Sequence, residues 1–493
     1  MAQHLDRLSA VDASFLHNES DASHMHVGGI TIFEGPPPAL DDFLDQIRSR
    51  LHLVPRYRQK LAVPPLETGR PLWVDDPCFN LEYHVRHTAL PEPGDEPKLL
   101  ALAARFFSQR LDRSKPLWET WFVEGLADNR FALITKTHHA LIDGISGVDL
   151  ATVLFDLSPV PQPIEPDGDE WQPHSEPSWA ELALGGVRGL VGQTAGLAVR
   201  ALRGVTRPEA AVGAVREAVE GVSEVVWAGL NPAPPTPLNV EIGSHRRIAV
   251  VRGQLDDYKA IKNALGGTVN DVVLTVVAGA LARWLRSRGV RTEGLELRAL
   301  VPVSIRGESE RGHLGNRIAA MRGPLPVYIN DPVARLRFVR EAMEGLKESK
   351  QAVGAEVLAG VQNWAPPTLL AQASRLNFST RLFNLIVTNV PGPQFPLYLL
   401  GRELLDMVPI AFLPQDHALA VAIMSYNSRV SFGLLADYDA LPDVDLIAGA
   451  LEESRDELLA AARKRSGTGQ RGTRARSRSS RGGAGRSGQT ARA

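Results

Sequence analysis

The sequence predicts an α/β protein made of two halves, and three observations lead there. The chain, at 493 residues, is longer than one hydrophobic core usually organises. Strand-type apolar runs interleave with helix-periodic stretches both before residue 155 and again after residue 246. Between these regions the pattern is broken by two proline-rich stretches, LSPVPQPIEPDGDEWQPHSEPSW and NPAPPTPLN. The expected division is a first half over 1–160, a proline-punctuated linker over 161–240, a second half over 241–462 and a tail over 463–493.

In the first half, MHVGGITIFEG reads as a strand and LDDFLDQIRSRLHLV as an amphipathic helix. LEYHVRHTAL is a second strand, and EPKLLALAARFFSQRL has its apolar residues at helical spacing. PLWETWFVEGL and RFALITKTHH are two strands joined by a short polar turn. A hairpin centred near Asp128 brings Trp118 beside His138 to within one residue. In the linker, Val187, Leu190, Val191, Thr194, Ala198, Ala201 and Leu202 share one helical face, opposite Arg188, Arg200 and Arg203. That stripe suits a surface helix packed on its own core; a basic amphipathic helix can also lie on a membrane. In the second half, RIAVVRGQL, a long helix from near Val269, ELRALVPVSI, RLFNLIVTNVPGP and ALAVAIMSYNSRVSFGLLAD follow in turn, before a closing helix that ends near Ala462.

The composition, 44% hydrophobic and 22% charged, is that of a soluble globular protein. The N-terminus lacks an apolar signal region, and the longest apolar run, Val272–Ala282, falls short of the ~20 residues that span a bilayer. The expectation is a cytoplasmic protein whose membrane contact is peripheral. The single cysteine, Cys78, excludes an intramolecular disulfide and reads as a buried structural thiol rather than a nucleophile. The net charge of −2 conceals a split, because the tail from Arg463 holds ten basic and no acidic residues and leaves the body at −12. Without Val, Ile, Leu or aromatic residues the tail cannot bury a core, so it is expected to be disordered. It either solubilises the chain or attaches it to an anionic membrane, at ~1 kcal/mol per basic residue near the surface. Nucleic acid is disfavoured as a partner, since nothing else in the chain is basic or aromatic in the required way.

The chemistry centres on KTHHALIDGISG. Strand alternation sends His138 and His139 to opposite faces, which disfavours one metal shared by both, and no His-x-x-x-His or Cys-rich spacing lies nearby. One histidine is then expected to act in a cleft and the other to be buried on the far face. Pro116, Leu117 and Trp118 border that site through the hairpin, although a plain core tryptophan fits equally well. Asp143 follows His139 by four residues, but no serine or cysteine nucleophile accompanies the pair. An arginine salt bridge bracing the loop is the expected role of Asp143, with Arg56 preferred over Arg58, and Gly144 permits a tight turn after it. In GGTVNDVVL, Thr268 and Asp271 have capping-box spacing. Asn270, in the first helical turn, either belongs only to that cap region or presents its amide NH₂ where an oxyanion would be stabilised.

HHALIDG also matches the HHxxxDG motif shared by condensation domains and chloramphenicol-type acetyltransferases. Alongside it stand PLW (116–118), ND (270–271), NVPGP (389–393), the opening LSAVDASFL…MHVGGITIF and the linker exit TPLN…HRR. With this set the chain resembles the bacterial bifunctional wax ester synthase/acyl-CoA:diacylglycerol acyltransferases over about residues 4–460; the Arg-rich tail is not part of the pattern. The resemblance implies an α/β fold of two CoA-dependent acyltransferase domains, chloramphenicol acetyltransferase-like and condensation-like, with a channel at their junction. It implies His139 as general base, Asn270 as oxyanion donor, and His138, Asp143, Gly144 and Asp271 in support. Asn389, Pro391 and Gly392 would shape the channel or simply form a turn. No cofactor or metal is held permanently; acyl-CoA is a co-substrate, and the acceptor is diacylglycerol or a long-chain alcohol. A membrane or lipid-droplet surface is the implied peripheral partner, at the inner membrane or on lipid droplets. Two alternatives are an acyltransferase of condensation or polyketide type fed by a carrier-bound acyl group, and a non-catalytic lipid-droplet-binding protein.

Overall fold

The computed structural model describes residues 6–65, 69–142, 154–161, 171–182, 231–304, 318–348 and 378–481. The first half lays down β1 (Asp6–Arg7), β2 (His26–Phe33), β3 (Gln59–Ala62), β4 (Leu72–Asp75), β5 (Val85–Ala89), β6 (Trp118–Leu126) and β7 (Arg130–His138). Its helices are α1 (Ala10–Asn18), α2 (Leu40–Arg50), the single turn α3 (Leu81–His84), α4 (Glu96–Phe107) and the short α5 (His139–Ile142). The β6–β7 hairpin turns at Ala127–Asn129, where Asp128 and Asn129 take φ of 61° and 56°, a conformation that short polar side chains tolerate. Trp118 pairs with Thr137, one residue from the expected partner. The segment LEYHVRHTAL is only half a strand. The Asn80 side chain accepts the Glu82 N–H at 2.9 Å and caps the turn Leu81–His84, so pairing starts at Val85.

The second half adds β8 (Arg246–Gln254), β9 (Glu296–Ser304), β10 (Ile318–Pro326), β11 (Leu385–Pro391), β12 (Tyr398–Leu399), β13 (Arg402–Ile410), β14 (Leu419–Tyr426) and β15 (Arg429–Asp437). Six of these form one mixed sheet in the order β10-β9-β11-β14-β15-β8, with β11 parallel to both β9 and β14. Helices Leu255–Leu265, Val269–Ser287, Pro332–Glu348 and Val444–Arg481 accompany it. No single described helix is long and apolar enough to cross a membrane. The run Val272–Ala282, the most apolar of the chain, is buried along its whole length as the core helix of this half.

The chain division at residue 241 does not divide the sheets. β13 leaves its own half and pairs antiparallel with β2, giving a second six-stranded sheet, β12-β13-β2-β7-β6-β5. Gly29 of β2 makes room for this, since a Cβ there would lie 2.8 Å from the Val408 carbonyl oxygen, and Gly28 does the same toward β7, where a Cβ would lie 1.9 Å from the Thr135 carbonyl oxygen. The two sheets touch where β15 meets β13, and the crossing strand is pinned there by charge. Arg252 on β8 pairs with Asp406 of β13 and, at 2.8 Å, with Glu96 of α4, while Ser431 donates to Asp406 at 3.0 Å. A buried carboxylate stays ionised at tolerable cost only with such partners.

Two expectations need correction. The closing helix does not stop at Ala462 but continues to Arg481, so that stretch of the tail is helical; extending a helix already nucleated on a packed segment costs far less than starting one. Cys78 is exposed, not buried, in the turn before α3, where its N–H donates to Asp76 at 3.1 Å. The amphipathic stripe of residues 187–203 lies outside the described residues.

Candidate active site

The histidine pair is separated by a change of backbone, not by strand alternation. β7 ends at His138 and α5 begins at His139, so the two rings leave the chain in different settings. His138 is 1% exposed and lies edge-on to His26, centroids 5.9 Å apart. Its Nδ1 accepts the Ala140 N–H at 3.1 Å, which puts the proton of the neutral ring on Nε2, 3.6 Å from a Glu19 carboxylate oxygen. Burial pushes the His138 pKa down, so the ring is neutral near neutral pH. Glu19 also pairs with Arg110 at 3.0 Å and with Arg113, whose Nε lies 2.6 Å away. Burial alone would raise the Glu19 pKa; the bonds and charges of His138 and Arg113 hold it down to about 2. Two residues earlier on the same strand face, Lys136 is fully buried and donates to the carbonyls of Phe106 and Gln109 at 3.0 and 2.9 Å. Burial pushes Lys136 down to about 8. His138 thus belongs to a buried polar layer between β7 and α4, and sequence reasoning missed its central member, Glu19.

That layer carries a pH prediction. The folded pKa of Glu19 is depressed from 4.5 to about 2, so its contribution is present above pH 4.5 and is lost as pH falls toward 2. The depression amounts to at most about 3 kcal/mol, at 1.36 kcal/mol per unit. Thermal melts of the wild type and Glu19→Gln should differ most above pH 5 and converge in acid. A gap that stays constant from pH 6 to pH 3 would contradict the assignment.

His139 is partly exposed, with its backbone N–H on the Met25 carbonyl at 2.9 Å. Its ring stacks on Phe15 of α1, centroids 3.9 Å apart and planes within 22°, and meets Phe412 edge-on at 5.5 Å. Phe378 packs against both phenylalanines, at 6.0 and 5.8 Å. Phe412 lies two residues past the end of β13, so the crossing strand carries a wall of the histidine site from the second half to the first. None of these three phenylalanines has a local signal in the sequence; only the β13 pairing brings Phe412 here.

The other expected site residues divide into those placed by packing and those placed by a second motif. The Leu117 carbonyl accepts the His138 N–H at 3.0 Å, and Pro116, Leu117 and Trp118 are all buried. The Trp118 indole stacks on His84 at 4.7 Å and donates to the Tyr57 carbonyl at 2.8 Å, so its contacts are those of a core tryptophan. Arg56 pairs with Asp6 and lies over the Trp73 ring at 5.0 Å. Asp143 and Gly144 lie outside the described residues. In the second half Thr268 and Asp271 form the expected capping box, the Asp271 carboxylate accepting the Thr268 N–H at 2.8 Å and the Thr268 hydroxyl accepting the Asp271 N–H at 3.2 Å. Asn270 and Asn389 come together: the Asn270 Oδ1 accepts from the Asn389 amide at 3.2 Å, which turns the Asn270 NH₂ the other way. Pro391 closes β11 opposite Ser425, and Gly392 is held by close approach, since a Cβ there would lie 2.5 Å from the Ser425 carbonyl oxygen. Among the described residues no group of three or more His, Cys, Asp and Glu is arranged to hold a metal ion.

A histidine half open at a seam between two halves, with its neighbour immobilised behind it, provides a proton acceptor in an apolar setting. Fold and site together define an acyltransferase of the two-domain, condensation-like class. The starter condensation domain of rhizomide synthetase RzmA shares the fold, at a TM-score of 0.56 and 12% identity over 93% of this chain and 94% of that one. The family follows from closer matches. The model of the wax ester synthase/diacylglycerol acyltransferase catalytic domain matches residues 8–273, the model of the C-terminal domain of the same family matches 314–459, and the chain belongs to that family. It is 34% identical to the probable diacylglycerol O-acyltransferase tgs1 of Mycobacterium tuberculosis over 472 residues, 95% of this chain and 99% of the relative. The wax ester synthase/diacylglycerol acyltransferase from Marinobacter aquaeolei VT8 superposes with a TM-score of 0.64 at 30% identity, over 92% of this chain and 99% of that one.

Proposed function

We propose that the protein transfers a long-chain fatty acyl group from acyl-CoA to the free hydroxyl of diacylglycerol, giving triacylglycerol and CoA. The observation that carries this reading is the division between the two histidines: His138 is sealed against Glu19, and His139 alone is open to a substrate. His139 takes the proton of the acceptor hydroxyl as the oxygen attacks the thioester carbonyl. The tetrahedral oxyanion is met by the Asn270 NH₂ at the positive end of the helix Val269–Ser287. The C–S bond then breaks, and the proton on His139 goes to the departing thiolate. The acceptor assignment is supported by the relatives named for diacylglycerol. Purified protein given palmitoyl-CoA with diacylglycerol or with hexadecanol tests it. Triacylglycerol is the expected product; turnover with hexadecanol alone would make the protein a wax ester synthase, and no turnover with either would remove the reading.

The same reading puts the enzyme at a lipid surface, on the cytoplasmic face of the inner membrane or on lipid droplets, because its acceptor resides there. Two features support this: ten basic residues in the tail, and the exposed Val390 and Phe395, 48% and 51% accessible, on either side of the proline–glycine turn after Asn389. Deleting residues 463–493 should weaken binding to anionic vesicles at least tenfold at low salt, and less so at high salt. Equal co-sedimentation of full-length and truncated protein would dismiss the tail as an anchor.

A further inference from the structure

A cavity of about 120 Å³ opens in the first half beside α1. Leu16 and His17 of α1, Leu61 and Val63 at the end of β3, Arg70 ahead of β4, and Arg113 surround it. Its character is mixed, with apolar walls beneath two guanidinium groups and an imidazole. Apolar walls lower the local dielectric and strengthen the pull of the cations on an anion.

The charge balance here runs against the rest of the molecule. The body of the chain carries a net −12, so a polyanionic substrate is repelled overall and must be met by local positive charge. Arg70 is partly buried and its pKa is lowered, first by burial and then by the nearby Arg7, so two cations are crowded together with Asp12 as the opposing charge. Arg113 is held in place by Glu19 and by the Leu16 carbonyl, which its Nη2 meets at 2.7 Å. The same short helix serves both places: Phe15 stacks on His139, while Leu16 and His17 line the cavity.

We infer that this cavity seats a terminal phosphate group, that of the acyl-CoA 3′-phosphomonoester, between Arg70 and Arg113. A dianionic phosphate fits the volume and the guanidinium pair, and the pantetheine arm separates the nucleotide end of the donor from its thioester. The inference rests on acyl-CoA being the donor, so its test reads binding separately from turnover. Calorimetric titration of the full chain with CoA and with 3′-dephospho-CoA compares the wild type, Arg70→Ala and Val63→Glu, the last placing a carboxylate at the cavity mouth, where Val63 is 55% exposed. Both variants should weaken CoA at least tenfold and leave 3′-dephospho-CoA within about twofold, the loss expected for one charge-assisted phosphate contact. Melting temperatures within about 2 °C of the wild type show that neither variant has unfolded. Equal weakening of both ligands, or of neither, overturns the inference. So does weaker binding of the variants to phospholipid vesicles with CoA affinity unchanged, which would make the phosphate that of a lipid headgroup. If palmitoyl-CoA gives no turnover but CoA binds with the predicted dependence on Arg70, the proposed reaction fails and the phosphate seat stands.

Discussion

Alanine at His139 lowers kcat by about 10³-fold, within the span expected of a general base, and leaves the protein folded. The ring is partly exposed, and its packing on Phe15 and Phe412 is worth about 1 kcal/mol for an aromatic pair. His138→Ala should behave in the opposite sense. It leaves the buried Ala140 N–H without its acceptor at 3.1 Å and removes a neighbour of Glu19, so stability falls by about 1–3 kcal/mol. Activity in that variant should follow the fraction still folded. Asn270→Ala is expected to cost about 10² in kcat with little change in KM, because the oxyanion forms only on the way to product. The measurements are steady-state kinetics with palmitoyl-CoA and diacylglycerol beside thermal melts of each variant. If His139→Ala keeps more than a tenth of the wild-type kcat, the histidine is not the base, whatever its place in the fold.

The contrast between these two variants also marks what the sequence can and cannot say. Local chemistry was legible: the β6–β7 hairpin follows from alternation and a polar turn, and the Thr268–Asp271 capping box from a three-residue spacing. The separation of the two histidines was legible too, though its cause is the strand ending at His138 rather than the strand's two faces. Whatever depended on distant pairing was not. RELLDMVPI is not among the strands read from the sequence, and nothing in its alternation says that it joins the sheet of the other half, because ladder hydrogen bonds come from the backbone and carry no address. Phe412 rides on that strand, so half of the histidine's surroundings were hidden with it. Glu19 was missed because a single glutamate after a helix reads as solvated until Arg110, Arg113 and His138 are seen to converge on it.

The crossing strand therefore links stability to activity, and Gly433→Ala is the substitution that tests the link. Gly433 sits in β15 opposite Ala422 and Val250, and its outer face is pressed against β13. A Cβ there would lie 1.9 Å from the Pro409 carbonyl oxygen and 3.2 Å from the Ile410 side chain. A side-chain end can swing away from such a clash, but Pro409 offers backbone, and that backbone is paired to Gly29 of β2. β13 must move outward or the two sheets must part. Either movement costs about 3 kcal/mol, a strained-core value, and lowers Tm by roughly 6–12 °C for halves of this size. Phe412, three residues beyond Pro409, moves with the strand, so kcat should fall severalfold even at temperatures where the variant is fully folded. Gly449→Ala is the matched control: it lies on an exposed face of the closing helix with nothing within 4 Å of a Cβ, and there alanine should raise stability by about 0.5–1 kcal/mol and leave kcat alone. A Gly433→Ala protein that melts within 2 °C of the wild type would mean that β13 and β15 do not approach as closely as this. One that loses stability but keeps its full kcat would mean that the position of Phe412 does not matter to His139.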